Sequence, residues 1–213
     1  MAARDYGQYG GTARALELVG ERWALLIVRD LLVGPRRYGE LSAGLPRIPT
    51  NVLATRLKEL QAAGVIRRAP RSRVIIYELT EYGRELEPIV LALGAWGFRA
   101  LGEPRDDQVI TPESMTIDLR SAFQSSAAAL LPPTSYSAHV GSADLVLRVD
   151  GPALAVDAGS GPADIRFEAD AGIRRLITGD VSADAALRAG IVRVIEGDRS
   201  LIHRFAETFR IAA

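Results

Sequence analysis

A polar stretch with two prolines and a glycine, Gly102-Glu-Pro-Arg-Asp-Asp-Gln-Val-Ile-Thr-Pro-Glu-Ser114, cuts the 213-residue chain near its middle, and the sign of the charge reverses there. Residues 1–101 hold fifteen basic against ten acidic side chains, and residues 102–213 hold eleven against sixteen, so a net charge of zero hides +5 in one half and −5 in the other. A chain of this length is near the size at which one core divides into two. The turn-prone junction therefore predicts two domains, 1–101 and 115–213, joined by a linker over 102–114. With 48% hydrophobic and 24% charged residues both halves can bury a core, which excludes disordered, collagenous and disulfide-scaffold classes. The absence of cysteine excludes structural disulfides, thiolate catalysis, iron–sulfur ligation and thiol redox sensing. The start, Met1-Ala-Ala-Arg-Asp-Tyr6, carries an acid early and no apolar segment, and no apolar run approaches the roughly 18–20 residues of a membrane span. A soluble, unexported, cytoplasmic protein is expected.

Helical spacing dominates the first half. Ala13, Leu16 and Val19 share one face, and Trp23, Leu26, Ile27 and Leu31 repeat until Gly34-Pro35 stops them. A short helix follows over Tyr38–Ala43. A longer one is expected from Pro49 to Ala63, with Pro49 in its first turn and Gly64 at its C-terminal cap. Val65-Ile-Arg-Arg68, a turn at Pro70-Arg71-Ser72-Arg73 and the β-branched run Val74–Leu79 read as a hairpin. Thr80 caps a last helix reaching about Leu101, whose stripe of Leu86, Ile89, Val90, Leu93, Trp96 and Ala100 is kinked by Pro88.

In the second half, short alternating runs at Tyr136–Val140, Leu145–Val149, Leu154–Ala158 and Ile165–Ala169 predict four strands of a meandering antiparallel sheet. Helical patterns over Ala171–Ile177 and Ala183–Ala189, a strand at Ile191–Ile195 and a helix from Asp198 carrying Leu201, Ile202, Phe205 and Phe209 on one face complete it. The fold class is α+β: an N-terminal winged helix-turn-helix domain, then a mixed or antiparallel sheet with covering helices.

Helices leading into a hairpin are the winged-helix arrangement, in which one helix enters the major groove and presents short polar side chains to the bases. On Pro49–Ala63 the residues Leu53, Leu57 and Leu60 fall within about 60° at 100° per residue. Asn51, Thr55, Lys58 and Ala62 then project oppositely, flanked by Thr50 and Arg56. Between Arg36 and Arg73 nine basic residues face only Glu40 and Glu59, which suits a polyanion. Asn51 and Thr55 can read base edges. Arg36, Arg37, Arg56 and Lys58 can neutralise phosphates, and Arg71 and Arg73 on the hairpin tip can reach backbone or minor groove.

The residues Ala13-Arg-Ala-Leu16, Gly20-Glu-Arg-Trp23, Leu31-Leu-Val-Gly-Pro-Arg-Arg-Tyr38, Glu40-Leu41, Val52-Leu53, Arg56-Leu57-Lys-Glu-Leu60 and Gly64-Val65 through Tyr77-Glu-Leu79-Thr80 resemble the HxlR-type winged helix-turn-helix regulators. The resemblance covers about residues 8–101. It implies a dimeric bacterial transcription regulator that binds double-stranded DNA, with Pro49–Ala63 as recognition helix and the terminal helices pairing protomers. Leu86, Ile89, Leu93 and Trp96 would form that contact. Members often carry a cysteine near the start; Gly10 stands at the matching position, so a signal must enter another way.

From Met115 on, Met115-Thr-Ile-Asp-Leu-Arg120, Ile177-Thr-Gly-Asp-Val-Ser182, Ala185-Ala-Leu187 and Val194-Ile-Glu-Gly-Asp198, with Leu201 and Phe205, resemble sterol carrier protein type two-like domains. That resemblance implies an apolar tunnel for a lipid or other hydrophobic effector, with Ile177, Leu187, Leu201 and Phe205 lining it or packing the core. The sequence holds no Walker-type loop, no Gly-x-Gly-x-x-Gly and no metal-spaced histidines. Ser160 reads as a turn residue, and His139 and His203 read as structural. No catalysis, cofactor, metal or membrane partner is expected. Two rival readings are a carrier or enzyme of hydrophobic metabolites that uses its first domain for assembly, and a constitutive repressor whose second domain is only structural.

Overall fold

The computed structural model describes residues 5–105 and 107–211. The first four residues, part of the start expected to be unexported, Asp106 of the expected linker, and residues 212–213 lie outside them. The chain divides into two units, one ending at Val90 and the other beginning at Leu91.

The first unit strings together α1 (Gly11–Val19), α2 (Ala24–Val33), α3 (Tyr38–Gly44), α4 (Thr50–Ala62), the hairpin β1 (Ile66–Arg71) and β2 (Val74–Leu79), α5 (Glu81–Arg84) and the start of α6 (Glu87–Phe98). Its core is built from one stripe per helix, as 3.6-residue periodicity requires. Ile27, Val28 and Leu31 of α2, Leu41 of α3, and Leu53, Leu57 and Leu60 of α4 are buried with Ile66, Ile76 and Leu79 of the hairpin. Asp30 is buried among them and is held by the Arg29 guanidinium at 2.7 Å. The end of α4 follows the expectation: Gly64 adopts φ 71°, its N–H donates to the Gln61 carbonyl at 3.1 Å, and the Val65 N–H donates to Leu60 at 3.0 Å. This pairing of two bonds behind a left-handed glycine is a Schellman cap. Thr80 then ties hairpin to helix. Its hydroxyl donates to the Gly64 carbonyl at 2.6 Å and accepts from the Gly83 N–H at 3.0 Å, capping α5.

Two expectations for this half are corrected. β1 runs on through Pro70 and Arg71, which pair with Ile75 and Val74, so the turn is only Ser72-Arg73 with Ser72 at φ 57°. Proline is tolerated there because a two-stranded ribbon leaves each strand an open edge. The helix expected from Thr80 to Leu101 is two helices, broken at Glu85-Leu86. Pro88 has no N–H to continue the α5 ladder and instead sits in the first turn of α6, where that loss costs nothing.

In the second unit a five-stranded sheet of β3 (Thr134–Val140), β4 (Ala143–Asp150), β5 (Ala153–Ala158), β6 (Ile165–Ala169) and β7 (Val192–Gly197) has the order β5-β4-β3-β6-β7. The expected meander holds only for β3, β4 and β5. The chain then crosses over, and β6 lies parallel to β3. Period-2 alternation is the same for parallel and antiparallel neighbours, so it marks strands without their order. Tyr136, Ala138 and Val140 of β3, Leu145, Leu147 and Val149 of β4, and Ile165 and Phe167 of β6 are buried. Against them pack Met115, Leu119 and Ala122 of α7 (Pro112–Ala122), Ala128 of α8 (Ser125–Ala128), and Ile173, Leu176 and Ile177 of α9 (Ile173–Ile177). Ala183 and Ala186 of α10 (Ala183–Arg188), and Ile202 and Phe205 of α11 (Leu201–Thr208), complete this layer, with Phe209 just beyond α11. Helix α7 begins inside the stretch read as linker. Thr111 accepts from the Ser114 N–H at 3.2 Å, and Pro112 opens the helix.

Gly83 approaches the β1 entry so closely that a Cβ there would lie 2.0 Å from the Val65 carbonyl oxygen, whereas a Cβ on Gly39 in α3 meets nothing within 4 Å. Gly83→Ala should therefore destabilise the protein by about 1–3 kcal/mol. Gly39→Ala should be neutral or stabilise by up to about 1 kcal/mol. Urea denaturation of both variants checks this; equal effects would contradict the packing described for α5.

Candidate nucleic-acid interface

Burial of Leu53, Leu57 and Leu60 turns the opposite side of α4 outward. Thr50, Asn51 and Lys58 are exposed, and Thr55 is half-buried. Asn51 and Lys58 stand two turns apart, about 10 Å along the axis at 1.5 Å per residue. The Thr55 hydroxyl donates to the Asn51 carbonyl at 2.9 Å, so its proton is committed while its lone pairs and methyl remain presented. The start of α4 is anchored from the preceding helix, where the Tyr38 hydroxyl donates to the Thr50 carbonyl at 2.8 Å.

Arg56 departs from the expected role. Its side chain is only 15% exposed, and it is ion-paired to Glu21 at 2.9 Å and to Glu59. Glu21 lies in the turn between α1 and α2, a turn that ends on Trp23 in the left-handed region at φ 81°. Two carboxylates already compensate this guanidinium, so it braces α4 against the α1–α2 turn and does not project from the polar face. A pairing partner so far away in sequence carries no local signal, which is why helical spacing placed Arg56 on the flank.

The hairpin sorts its arginines. Arg67 pairs with Glu78 across the strands at 2.7 Å, and Arg68 stacks over the Tyr77 ring at 5.9 Å. Arg71 and Arg73, on either side of Ser72, are exposed at the tip. Arg36 is joined to β2 by its backbone: its N–H donates to the Tyr77 carbonyl at 2.9 Å and its carbonyl accepts from Tyr77 at 2.7 Å. Its side chain is half-buried. Arg37 is exposed, and its N–H donates to Glu40 at 2.6 Å, which caps α3. Arg47, not singled out from the sequence, is exposed on the turn before α4; its place within the basic cluster was the available signal.

On α6, Ile89, Leu93 and Trp96 are 51%, 45% and 69% exposed, and Leu86, in the break before it, is half-buried. Among the expected effector residues, Ile177 and Phe205 are fully buried in the second unit's core, with Leu187 and Leu201 packed at its margin. His139 pairs with Asp144 at 2.8 Å and His203 with Asp184 at 3.0 Å, both on the surface. Among the described residues no three metal-ligating side chains cluster, and no helix is long and apolar enough to cross a membrane.

The HxlR-like helix-turn-helix family matches residues 18–104. An HTH-type transcriptional regulator of Mycobacterium tuberculosis is 42% identical over 110 residues, spanning 50% of this chain and 64% of that protein. The match thus stops short of two thirds of the mycobacterial protein's length. The regulator YvaP of Bacillus subtilis is 41% identical over 86 residues, 39% of this chain and 80% of YvaP. The crystal structure of the HTH-type regulator ytcD is 36% identical, covers 44% of this chain and 99% of that one, and has a TM-score of 0.42. On the strength of its coverage of YvaP and its match over residues 18–104, the chain belongs to the HxlR-like helix-turn-helix family.

Proposed function

We propose that this protein is a transcription regulator that binds double-stranded DNA as a homodimer, and that its second unit takes a hydrophobic effector. The observation that carries the reading is the division of α4: its leucine stripe is buried, and Asn51 and Lys58 face outward in the same unit as a hairpin tip bearing Arg71 and Arg73. Asn51 is suited to pair with a base edge, adenine best of all, through its amide. Lys58, Arg37, Arg71 and Arg73 supply mobile positive charge for phosphates, which gives affinity without sequence preference. The relatives' names support the regulator role. The apolar row on α6 supports pairing of two chains, since Ile89, Leu93 and Trp96 are too apolar to be left in water. Such a pair would set two recognition helices about 34 Å apart, one turn of DNA. An effector in the second unit must change DNA affinity by the same factor by which DNA changes effector affinity.

Affinity should fall by orders of magnitude between roughly 50 and 200 mM salt if a dimer makes six or more phosphate contacts. Arg71→Ala and Arg73→Ala should each weaken all duplexes alike and flatten the salt slope by about one. Asn51→Ala should cost about 1–3 kcal/mol on the cognate site alone. Fluorescence anisotropy on cognate and random duplexes separates these effects, and a flat salt titration would overturn the DNA reading.

Arg56→Gln should behave differently from the wing variants. Stability should drop by about 1–3 kcal/mol as Glu21 and Glu59 lose their partner, with the salt slope unchanged. A reduced slope with normal stability would return Arg56 to the phosphates.

Leu93→Glu places a charge in the proposed pairing face. Sedimentation should then show a monomer with operator affinity lost; a variant that stays dimeric puts the interface elsewhere.

A further inference from the structure

In the turn between α1 and α2, Trp23 stands at a backbone position that suits glycine. The Glu21 carbonyl accepts from the Ala24 N–H at 2.9 Å, which closes a turn whose third residue, Trp23, has φ 81° and ψ −21°. Positive φ at the third residue of a turn favours glycine or asparagine, because a larger side chain is crowded there by its own backbone. The turn is anchored on both sides. Gly20 runs so close to the end of α1 that a Cβ would lie 2.4 Å from the Leu16 carbonyl oxygen, and the Trp23 carbonyl accepts from the Ile27 N–H at 2.9 Å as the first rung of α2. The Trp23 ring is half-buried, and the Arg22 guanidinium lies over it at 5.3 Å. A glycine at this place would take the same φ without strain, but it would take negative values as readily and leave the turn free to relax. Tryptophan keeps the strained value only while its ring is held, so the side chain contributes confinement to one conformation.

We propose that Trp23 is a positioning residue for sequence discrimination: by confining the α1–α2 turn it fixes Glu21, and through the Glu21–Arg56 ion pair it fixes the rotation of α4 that presents Asn51. The inference rests on the reading of α4 as the recognition helix and adds to it a residue that touches no base. Glu21 meets the Arg56 guanidinium at 2.9 Å, and the Arg56 side chain is only 15% exposed, so water screens the pair weakly. Of the two carboxylates on Arg56, Glu59 belongs to α4 itself, and Glu21 ties the helix to another element. Asn51 and Arg56 are five residues apart, about 7.5 Å along the axis at 1.5 Å per residue, so a slip at Arg56 is carried to Asn51. A contact between an amide and a base edge needs fixed geometry and fails on such a slip. Attraction between a basic side chain and a phosphate tolerates it, so loosening the turn should remove discrimination and leave non-specific affinity in place.

The test uses the full chain and two duplexes, one enriched by the wild-type protein from a random pool and one of scrambled sequence, with affinities read by fluorescence anisotropy at fixed salt. Trp23→Asn removes the ring, keeps a residue at ease with positive φ and leaves the charge unchanged. The ratio of enriched to scrambled affinity should fall by about five-fold or more, the discrimination that one two-bond base contact supplies, while scrambled-duplex affinity holds. Trp23→Phe, which keeps a ring, should retain the wild-type ratio. Glu21→Gln should lower the ratio as well, and adding Trp23→Asn to it should lower it no further, because both act through Arg56. A merely structural role for Trp23 would lower both affinities together through the folded fraction and leave their ratio level. An unchanged ratio in Trp23→Asn, or losses that multiply in the double variant, overturns the proposal and leaves the recognition-helix reading standing. Should Trp23→Asn fail to fold, Glu21→Gln decides: an unchanged ratio there refutes the route through Arg56. A wild-type protein that enriches no sequence overturns both.

Discussion

Removing Leu53, Leu57 and Leu60 from water sets the rotation of α4, and the rest of the first unit is arranged to keep that rotation. Burying three leucine side chains is worth several kcal/mol, far more than any one polar contact on the opposite face. The polar face is therefore a consequence of the core. Its fine position is held by contacts of smaller size at each end: Tyr38 on the Thr50 carbonyl at the start, the Gly64 cap and Thr80 at the finish, and Arg56 bridging to Glu21 and Glu59 between them. None of these groups needs to touch a partner molecule. They limit how far Asn51 can wander, which the proposed reading of a base edge by its amide would require.

Much of the first unit was legible because its signals are local. Leucine spacing on α4, Gly64 after it and the β-branched run Val74–Leu79 each state their structure within a few residues. What was hidden depends on partners distant in sequence or on signals that mean two things. Arg56 looks like a flank residue of a basic helix until Glu21 is placed beside it. The crossover that makes β6 parallel to β3 leaves the alternation of Ile165, Phe167 and Ala169 unchanged. Thr111-Pro112 read as a linker break, yet a capping threonine followed by proline is also how a helix begins, and α7 starts there. Of the candidate site, the exposed faces could be read in advance; the internal braces could not.

The two units pose opposite electrostatic problems. In the first, Arg71 and Arg73 are exposed at the hairpin tip and keep their charge in water, which under the proposed function would let them exchange counterions for phosphates. In the second, the Tyr136 hydroxyl is buried among the Phe205 and Phe209 rings, and burial pushes its phenol up to about 12, so it stays neutral. The 213 residues include no cysteine, so they offer no thiol chemistry of their own.

The central claim is that α4 and the hairpin together read DNA sequence. Selection of the full-length protein against a pool of random duplexes, followed by hydroxyl-radical footprinting of the enriched sequence, tests it most directly. The account predicts a two-fold symmetric site with half-sites about one helical turn apart, protected in adjacent major and minor grooves. Enrichment of no sequence, with uniform weak protection along the duplex, would contradict it.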